Sequence, residues 1–236
     1  MTPLMLCYGG TFDPVHTGHL AIARAVRDAM HADVFLLPAA DPPHKGPTHA
    51  DAKQRARMLE LAVQGEPGLH VDRRELRRAG PSYTFDTLRE LRDEVGPHVP
   101  IAWIVGGDSV FELAAWHRWR ELFDLAHLLA IARPGAPIER DVLAARAPAV
   151  QAELEPRWCL PGQLHSMPAG GFAEFPLPQA RPESSTELRR RIAAGDPRWP
   201  DWVPPPVADF IREHRLYDGR ARDADAFTPA AENGPV

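Results

Sequence analysis

Short apolar runs alternate along the chain with longer segments whose apolar residues recur at helical spacing. Leu4 to Tyr8 is an apolar run stopped by Gly9-Gly10 and reads as a buried strand. Leu20, Ala23, Val26 and Met30 then share one face of a helix. Val34 to Leu37 is a second strand, closed by Pro38, and the proline-rich stretch Asp41 to Pro47 reads as a loop. Asp51 to Gln64 predicts a helix with Met58, Leu59, Ala62 and Val63 on its apolar side. Leu69 to Asp72 reads as a strand, and Ser82 to Val95 as a helix with Ser82 or Thr84 available as its cap. Ile101 to Val105 and Leu128 to Ala132 are apolar strands, ended by Gly106-Gly107 and by Arg133-Pro134-Gly135. Beyond them the rhythm blurs. A helix over Ile138 to Gln151, a short strand at Leu164 to Met167, and helices over Ser184 to Ala194 and Val207 to Leu216 are expected. After Tyr217 the residues turn small and polar, so 1–217 reads as a single domain and 218–236 as a flexible tail.

This alternation predicts an α/β protein: a Rossmann-like, doubly wound parallel sheet with helices on both faces and a small C-terminal helical part. In such sheets ligands bind beyond the carboxyl ends of the strands. Those ends here carry Gly9 to His19, Pro38 to Lys45, Gly106 to Asp108, and Arg133.

Composition narrows the class. With 44% apolar and 25% charged residues, the 236-residue chain has a globular balance, which argues against wholesale disorder and fibrous structure. Its 27 basic and 32 acidic residues give a net charge of −5, so no general basic field for nucleic acid is expected. Two cysteines, Cys7 and Cys159, cannot form a disulfide framework and suit a reducing compartment. The most apolar stretch, Leu125 to Ala132, contains His127 and falls far short of the ~20 residues that span a bilayer. With no basic leader ahead of Gly9-Gly10, the chain reads as cytoplasmic, without a membrane partner. Self-association is left open. Lys45 is one of only two lysines in an arginine-rich background.

The segment Gly9 to His19 joins the first strand to the first helix. Glycines let backbone approach a ligand, and a helix start offers unpaired N–H groups and a positive dipole end, which suits phosphate. His16 and His19, three apart, can face one bound group. The loop is neither a Walker A motif nor a G-x-G-x-x-G fingerprint. Spacing alone also fits a surface pair, or a metal site with a third ligand such as Asp13 or His44. Its place between strand and helix favours phosphate. Ser184-Ser185-Thr186 ahead of Arg189 is either a second phosphate clamp or an ordinary helix cap with Glu187 inside. Asp108, after Gly106-Gly107, is either a ribose acceptor or a cap. Trp103 sits in an apolar strand and reads as core.

GGTFDPVHTGHL resembles the H-x-G-H signature of the nucleotidyltransferase superfamily. Together with PPHK (42–45), QRARMLELA (54–62), PSYT (81–84), IVGGDS (104–109), ARPG (132–135) and SSTELR (184–189), it is similar to the bacterial nicotinate-nucleotide adenylyltransferases over nearly the whole chain. The resemblance implies transfer of AMP from ATP to nicotinate mononucleotide, giving deamido-NAD and pyrophosphate in NAD biosynthesis, with Mg²⁺ accompanying ATP and no covalent intermediate. It implies catalytic roles for His16, His19 and Arg189. It implies ATP contacts at Gly9, Gly10, Thr11, Phe12, Gly18, Gly106, Asp108, Ser184, Ser185 and Thr186. For the mononucleotide it implies Tyr83 and Thr84 at the nicotinate carboxylate, Trp116 stacked on the pyridine, and His44, Lys45 and Arg133 at the phosphate. It assigns no metal ligand to the protein. The chain departs from the family pattern at Glu183, where an apolar residue is usual, and at Ala39-Ala40-Asp41, where a small polar residue is common. Nicotinamide mononucleotide or another phosphate ester is the alternative acceptor. A non-catalytic nucleotide sensor is the alternative class. A tRNA synthetase fragment would need a KMSKS-like loop, which the sequence lacks.

Overall fold

The computed structural model describes residues 3–40, 48–132 and 138–219. Strands β1 (Met5–Gly10), β2 (Val34–Pro38), β3 (Leu69–Val71), β4 (Ile101–Gly106), β5 (His127–Ala132) and β6 (Phe172–Pro176) form one parallel sheet in the order β3-β2-β1-β4-β5-β6. Among the described residues, ten α-helical segments are interleaved: α1 (Thr17–Met30), α2 (Ala52–Val63), α3 (Arg74–Arg77), α4 (Thr84–Val95), α5 (Gly107–Val110), α6 (Leu122–Leu125), α7 (Arg140–Arg146), α8 (Pro148–Leu154), α9 (Ser185–Ala193) and α10 (Pro205–Glu213). The chain winds outward from β1 through β2 to β3, then crosses back to lay β4 on the other side of β1. Between β1 and β4 the strand order reverses, and a crevice opens beyond their carboxyl ends.

The strands are apolar at nearly every position because both faces of the sheet are covered. On one face Leu6, Val34, Leu36, Ala102, Ile104 and Leu129 meet Leu20, Ala23 and Val26 of α1, Met58 and Leu59 of α2, and Val207 and Ile211 of α10. On the other, Cys7, Ile101, Trp103, Val105, Leu128 and Ala130 meet Phe85, Leu88 and Leu91 of α4 and Leu122 and Phe123 of α6. His127 is a satisfied interior histidine: Nδ1 accepts from the Gly171 N–H at 2.8 Å and Nε2 lies 2.8 Å from the Met167 carbonyl.

Two expectations change. Leu164 to Met167 is not a strand: Pro161–His165 is a 3₁₀ helix that buries Leu164, and the sixth strand is Phe172–Pro176. An apolar pair three residues apart is helical spacing, whereas β6 is a short edge strand, where a proline is tolerated. The helix expected over Ile138 to Gln151 is two helices, because Pro148 lacks a backbone N–H and holds Ala147 out of the helical region (φ −143°, ψ 63°).

Candidate active site

The end of β1 is shaped by what crosses it. A Cβ on Gly9 would lie 2.2 Å from Cζ2 of Trp103, so only glycine lets that indole pass. Phe12 is buried with a left-handed backbone (φ 49°), and its ring meets Tyr8 and His19 edge-on at 5.6 and 5.0 Å. His16 stands at the N-cap position of α1 without a side-chain cap bond, and its ring stacks on that of His19 with centroids 3.6 Å apart. The His16 backbone N–H donates to His19 Nδ1 at 3.2 Å. That bond occupies the Nδ1 lone pair of His19. His16 is 5% exposed. Burial holds its pKa down at about 4, with Glu183 pulling the other way and Arg181 adding to the fall. His16 is therefore neutral near pH 7.

The turn between β1 and α1 is tied down from behind. The buried Asp13 carboxylate accepts from the His49 and Ala50 N–H groups (2.8 and 3.1 Å) and from the Tyr217 hydroxyl (2.8 Å). Burial, then the neighbouring carboxylate, push the Tyr217 hydroxyl far above its ordinary pKa. Arg55 is 0% exposed and donates to the carbonyls of Thr11 and Ala39 (2.7 Å each), Ala40 (3.0 Å) and Ala50 (3.2 Å). The cation is stabilised by four backbone dipoles and fixes both loops at the strand ends.

The opposite wall comes from α9. Ser184 caps the helix, accepting from the Glu187 N–H at 3.2 Å. Ser185 donates to the Pro14 carbonyl at 2.9 Å, Arg189 to the Asp13 carbonyl at 2.6 Å, and Thr17 to Glu183 Oε1 at 3.0 Å. These three bonds stitch residues far apart in sequence onto the β1–α1 turn. Between them lies a cavity of about 530 Å³ lined by Gly9 to Asp13, His19, Thr48, His49, Ser185, Thr186 and Arg189.

A second cavity of about 270 Å³ adjoins it, sharing Tyr8, Gly9, Gly10, Thr11 and Gly106. Its walls are Tyr83, Thr84, Trp103, Trp116 and His117, with Glu75, Ser82 and Ser109 as polar groups. Tyr83 is the cap residue of α4 but makes no side-chain cap bond, and Ser82 instead accepts from the Ala40 N–H at 3.0 Å. Neither Ser82 nor Thr84 acts as the cap. Glu75 is buried, which raises its pKa, and accepts from the Thr87 hydroxyl at 2.8 Å. The two cavities form one cleft across the reversal point of the sheet. A larger hollow, about 1020 Å³, lies at the opposite ends of the strands around Arg27, Asp33 and Glu66. It is an open dish in which Arg27 is paired with Asp28 and Glu66.

Of the expected site residues, Gly9, Gly10, Thr11, Phe12, His19, Gly106, Ser185, Thr186 and Arg189 line the first cavity, and Tyr83, Thr84 and Trp116 line the second. His16 stands behind His19 rather than in the lining, and Gly18 lies under the His16 ring. Asp108 is exposed on α5 and lines neither cavity, and the Ser184 hydroxyl is used as a helix cap. His44, Lys45 and Arg133 lie outside the described residues. Trp103, expected as core, is both buried and part of the cleft wall. His49, Arg55, Glu75 and Tyr217 were not expected at the site, and Asp13 was expected there only as a third ligand of an alternative metal site. Arg55 had a visible signal: it shares the helical face of Met58, Leu59 and Ala62, where a charge must find partners inside. Among the described residues, no group of three or more His, Cys, Asp or Glu side chains is placed to hold a metal ion, and no helix is long and apolar enough to cross a membrane.

A doubly wound sheet whose reversal point holds a glycine-flanked turn, stacked imidazoles and an arginine-bearing helix start defines a nucleotide-binding α/β protein. A family model described as cytidylyltransferase-like matches residues 7–191. A Stenotrophomonas maltophilia protein named "probable nicotinate-nucleotide adenylyltransferase" is 50% identical over 92% of this chain and 98% of its own. A like-named protein of Laribacter hongkongensis is 44% identical over 89% and 92%. The solved nicotinic acid mononucleotide adenylyltransferase of Plasmodium falciparum, complexed with NaAD, shares the fold with a TM-score of 0.67 at 15% identity, covering 92% of this chain and 98% of that one. The chain belongs to the nicotinate-nucleotide adenylyltransferase family, within the cytidylyltransferase-like proteins.

Proposed function

We propose that this chain transfers AMP from ATP to nicotinate mononucleotide, forming deamido-NAD and pyrophosphate in NAD biosynthesis. The observation that carries the reading is the two-chambered cleft: a chamber of phosphate donors and a chamber of aromatic walls share the glycine end of β1. The triphosphate occupies the first, against His19, Ser185, Thr186 and Arg189. The pyridine ring occupies the second, against Trp116, with its carboxylate at the uncapped start of α4. A phosphate oxygen of the mononucleotide then forms a bond to the α-phosphorus of ATP. The bond to the bridging oxygen breaks, and pyrophosphate leaves with that electron pair. The nucleophile is already an anion, so no general base is needed, and catalysis is alignment plus stabilisation of charge. His16, Gly18, Asp108, Ser184, His44, Lys45 and Arg133 complete this assignment as ATP or mononucleotide contacts. Magnesium is taken to enter with ATP, held by phosphate oxygens and neutralising charge on the leaving group.

We further infer that residues 1–217 act as one unit and that the reaction runs in the cytoplasm. Both cysteines are free thiols, which suits a reducing compartment. Every residue given a role lies at or before Tyr217, so a chain ending at Gly219 should keep activity within about twofold.

The test is pyrophosphate release from Mg-ATP with a panel of phosphate-ester acceptors. Nicotinate mononucleotide should exceed nicotinamide mononucleotide in kcat/KM by about fivefold or more, since a neutral amide leaves the anion-binding N–H groups poorly matched, a loss of about 1–3 kcal/mol. ATP binding with no release for any acceptor would make the chain a sensor instead.

A further inference from the structure

AMP transfer gives no task to Glu75, a carboxylate in the wall of the ring chamber. It lies on α3 and is 4% exposed. Two hydroxyls converge on it. Thr87 of α4 donates to Oε1 at 2.8 Å, and the Ser82 hydroxyl, just ahead of α4, also bonds to the carboxylate. Each hydroxyl is met from its other side by a group that can only donate. Arg78 donates to Thr87 Oγ1 at 2.9 Å, and the Ala40 N–H donates to Ser82 Oγ at 3.0 Å. Both oxygens accept from behind, which leaves both hydroxyl hydrogens to point at the carboxylate.

The network joins α3, the turn before α4, the first turns of α4 and the loop after β2. Its members Glu75, Ser82 and Ala39–Thr84 neighbours Tyr83 and Thr84 line the same chamber. Tyr83 gives α4 no side-chain cap, so the N–H groups of the first helical turn remain for a ligand. Aromatic walls hold a ring by area alone, but N–H groups that meet a carboxylate must be aimed. We propose that Glu75 is a positioning residue: by holding the Ser82 and Thr87 hydroxyls it fixes the start of α4, and with it the N–H groups that receive the nicotinate carboxylate. The inference rests on the carboxylate site assigned to that helix start. A carboxylate suits the task because it accepts from both hydroxyls at once. Glutamine keeps the contacts only by offering its amide N–H to one of them, and leucine abandons both. A direct effect of the Glu75 charge on an anionic substrate would act in the opposite sense, since its removal would tighten binding.

The experiment has two readouts. In the ligand-free, full-length protein, amide hydrogen exchange at Ala40 reports its bond to Ser82. Glu75→Leu should speed that exchange at least about tenfold, and Glu75→Gln by less than about threefold. In pyrophosphate release, Glu75→Leu should raise the nicotinate mononucleotide KM about tenfold while the ATP KM stays within about twofold, and Glu75→Gln should recover most of the loss. The KM for nicotinamide mononucleotide, which brings no carboxylate, should move less than about threefold. Adding Ser82→Ala to Glu75→Leu should raise the KM no further, because both act through one chain of bonds. Ser82→Ala alone carries the KM comparison if the leucine variant does not fold. An equal rise for both mononucleotides or for ATP, a lowered KM in Glu75→Gln, or Ala40 exchange indifferent to Glu75→Leu overturns the proposal. Absence of release by the parent protein with every acceptor is instead the failure of AMP transfer, and the exchange measurement, which needs no substrate, still decides whether Glu75 holds the network.

Discussion

The two chambers of the cleft are built on different principles. The phosphate chamber is made of donors, and nearly every donor is itself held: His19 by the His16 backbone, the turn by Arg55 and Asp13, and α9 by Ser185, Arg189 and Glu183. The ring chamber is made of surfaces. Trp103, Trp116, Tyr83 and His117 supply its walls, and Tyr83 lies against His117 at 4.5 Å. The difference follows from the work each does. Charge that develops on phosphate oxygens is stabilised only by dipoles already aimed, so their supports must be rigid. A flat ring needs shape and area, which a few side chains provide without a network.

The largest effect should come from the donor that lines the cavity. His19→Ala should lower kcat by about 10²–10³ with little change in the KM for ATP, as expected for a group acting in the transition state. Steady-state pyrophosphate release beside a thermal melt checks it. A matched rise of both KM values with a lowered Tm would show that the ring is a structural prop, and the contrast between chambers would fail.

The next effect is on stability. His16 has a folded-state pKa of about 4, below its ordinary 6.5, because burial penalises the imidazolium. Between those values the unfolded chain binds a proton that the folded one does not. Its contribution is therefore full above pH 6.5 and is lost as pH falls toward 4, by about 3 kcal/mol at most. Urea midpoints at pH 7 and 4.5 should fall more steeply for the parent than for His16→Asn. Equal slopes would mean that the ring is hydrated rather than enclosed.

Trp116→Ala sharpens the comparison from the other side. Loss of one stacking face should raise the mononucleotide KM about tenfold and leave kcat within a few-fold, since a surface binds ground and transition states alike. A fall in kcat with KM unchanged would move Trp116 into the alignment of the reacting phosphate.

How far the sequence discloses these chambers follows the same divide. The sheet was legible because both faces are covered, which leaves uninterrupted apolar runs such as Ile101 to Val105. The glycine turn, the histidine pair and Arg189 were legible as types of residue at a strand end or helix start. The supports were not. Asp13 and Tyr217 are 204 positions apart, and nothing local at either marks the other. Ser184 and Ser185 look alike in sequence, yet one caps its helix and the other reaches across to Pro14. β6 escaped notice because an edge strand need not follow the pattern of its buried neighbours.

Tyr217→Phe probes the outermost support and should have the smallest effect. The substitution removes one hydroxyl, leaving the ring against the first core layer. Asp13 keeps its bonds to the His49 and Ala50 N–H groups, so the carboxylate loses one donor of three side- and main-chain partners. The cost should be about 1.5–3 kcal/mol of stability, the scale of one hydrogen bond to a charged group. Through Asp13 the strain reaches the turn that carries Phe12 and the imidazoles, so kcat should fall about twofold to threefold while the mononucleotide KM stays unchanged. A mononucleotide KM that rises as much as kcat falls would show that the two chambers share one support, and that the division between fixed donors and passive walls is drawn in the wrong place.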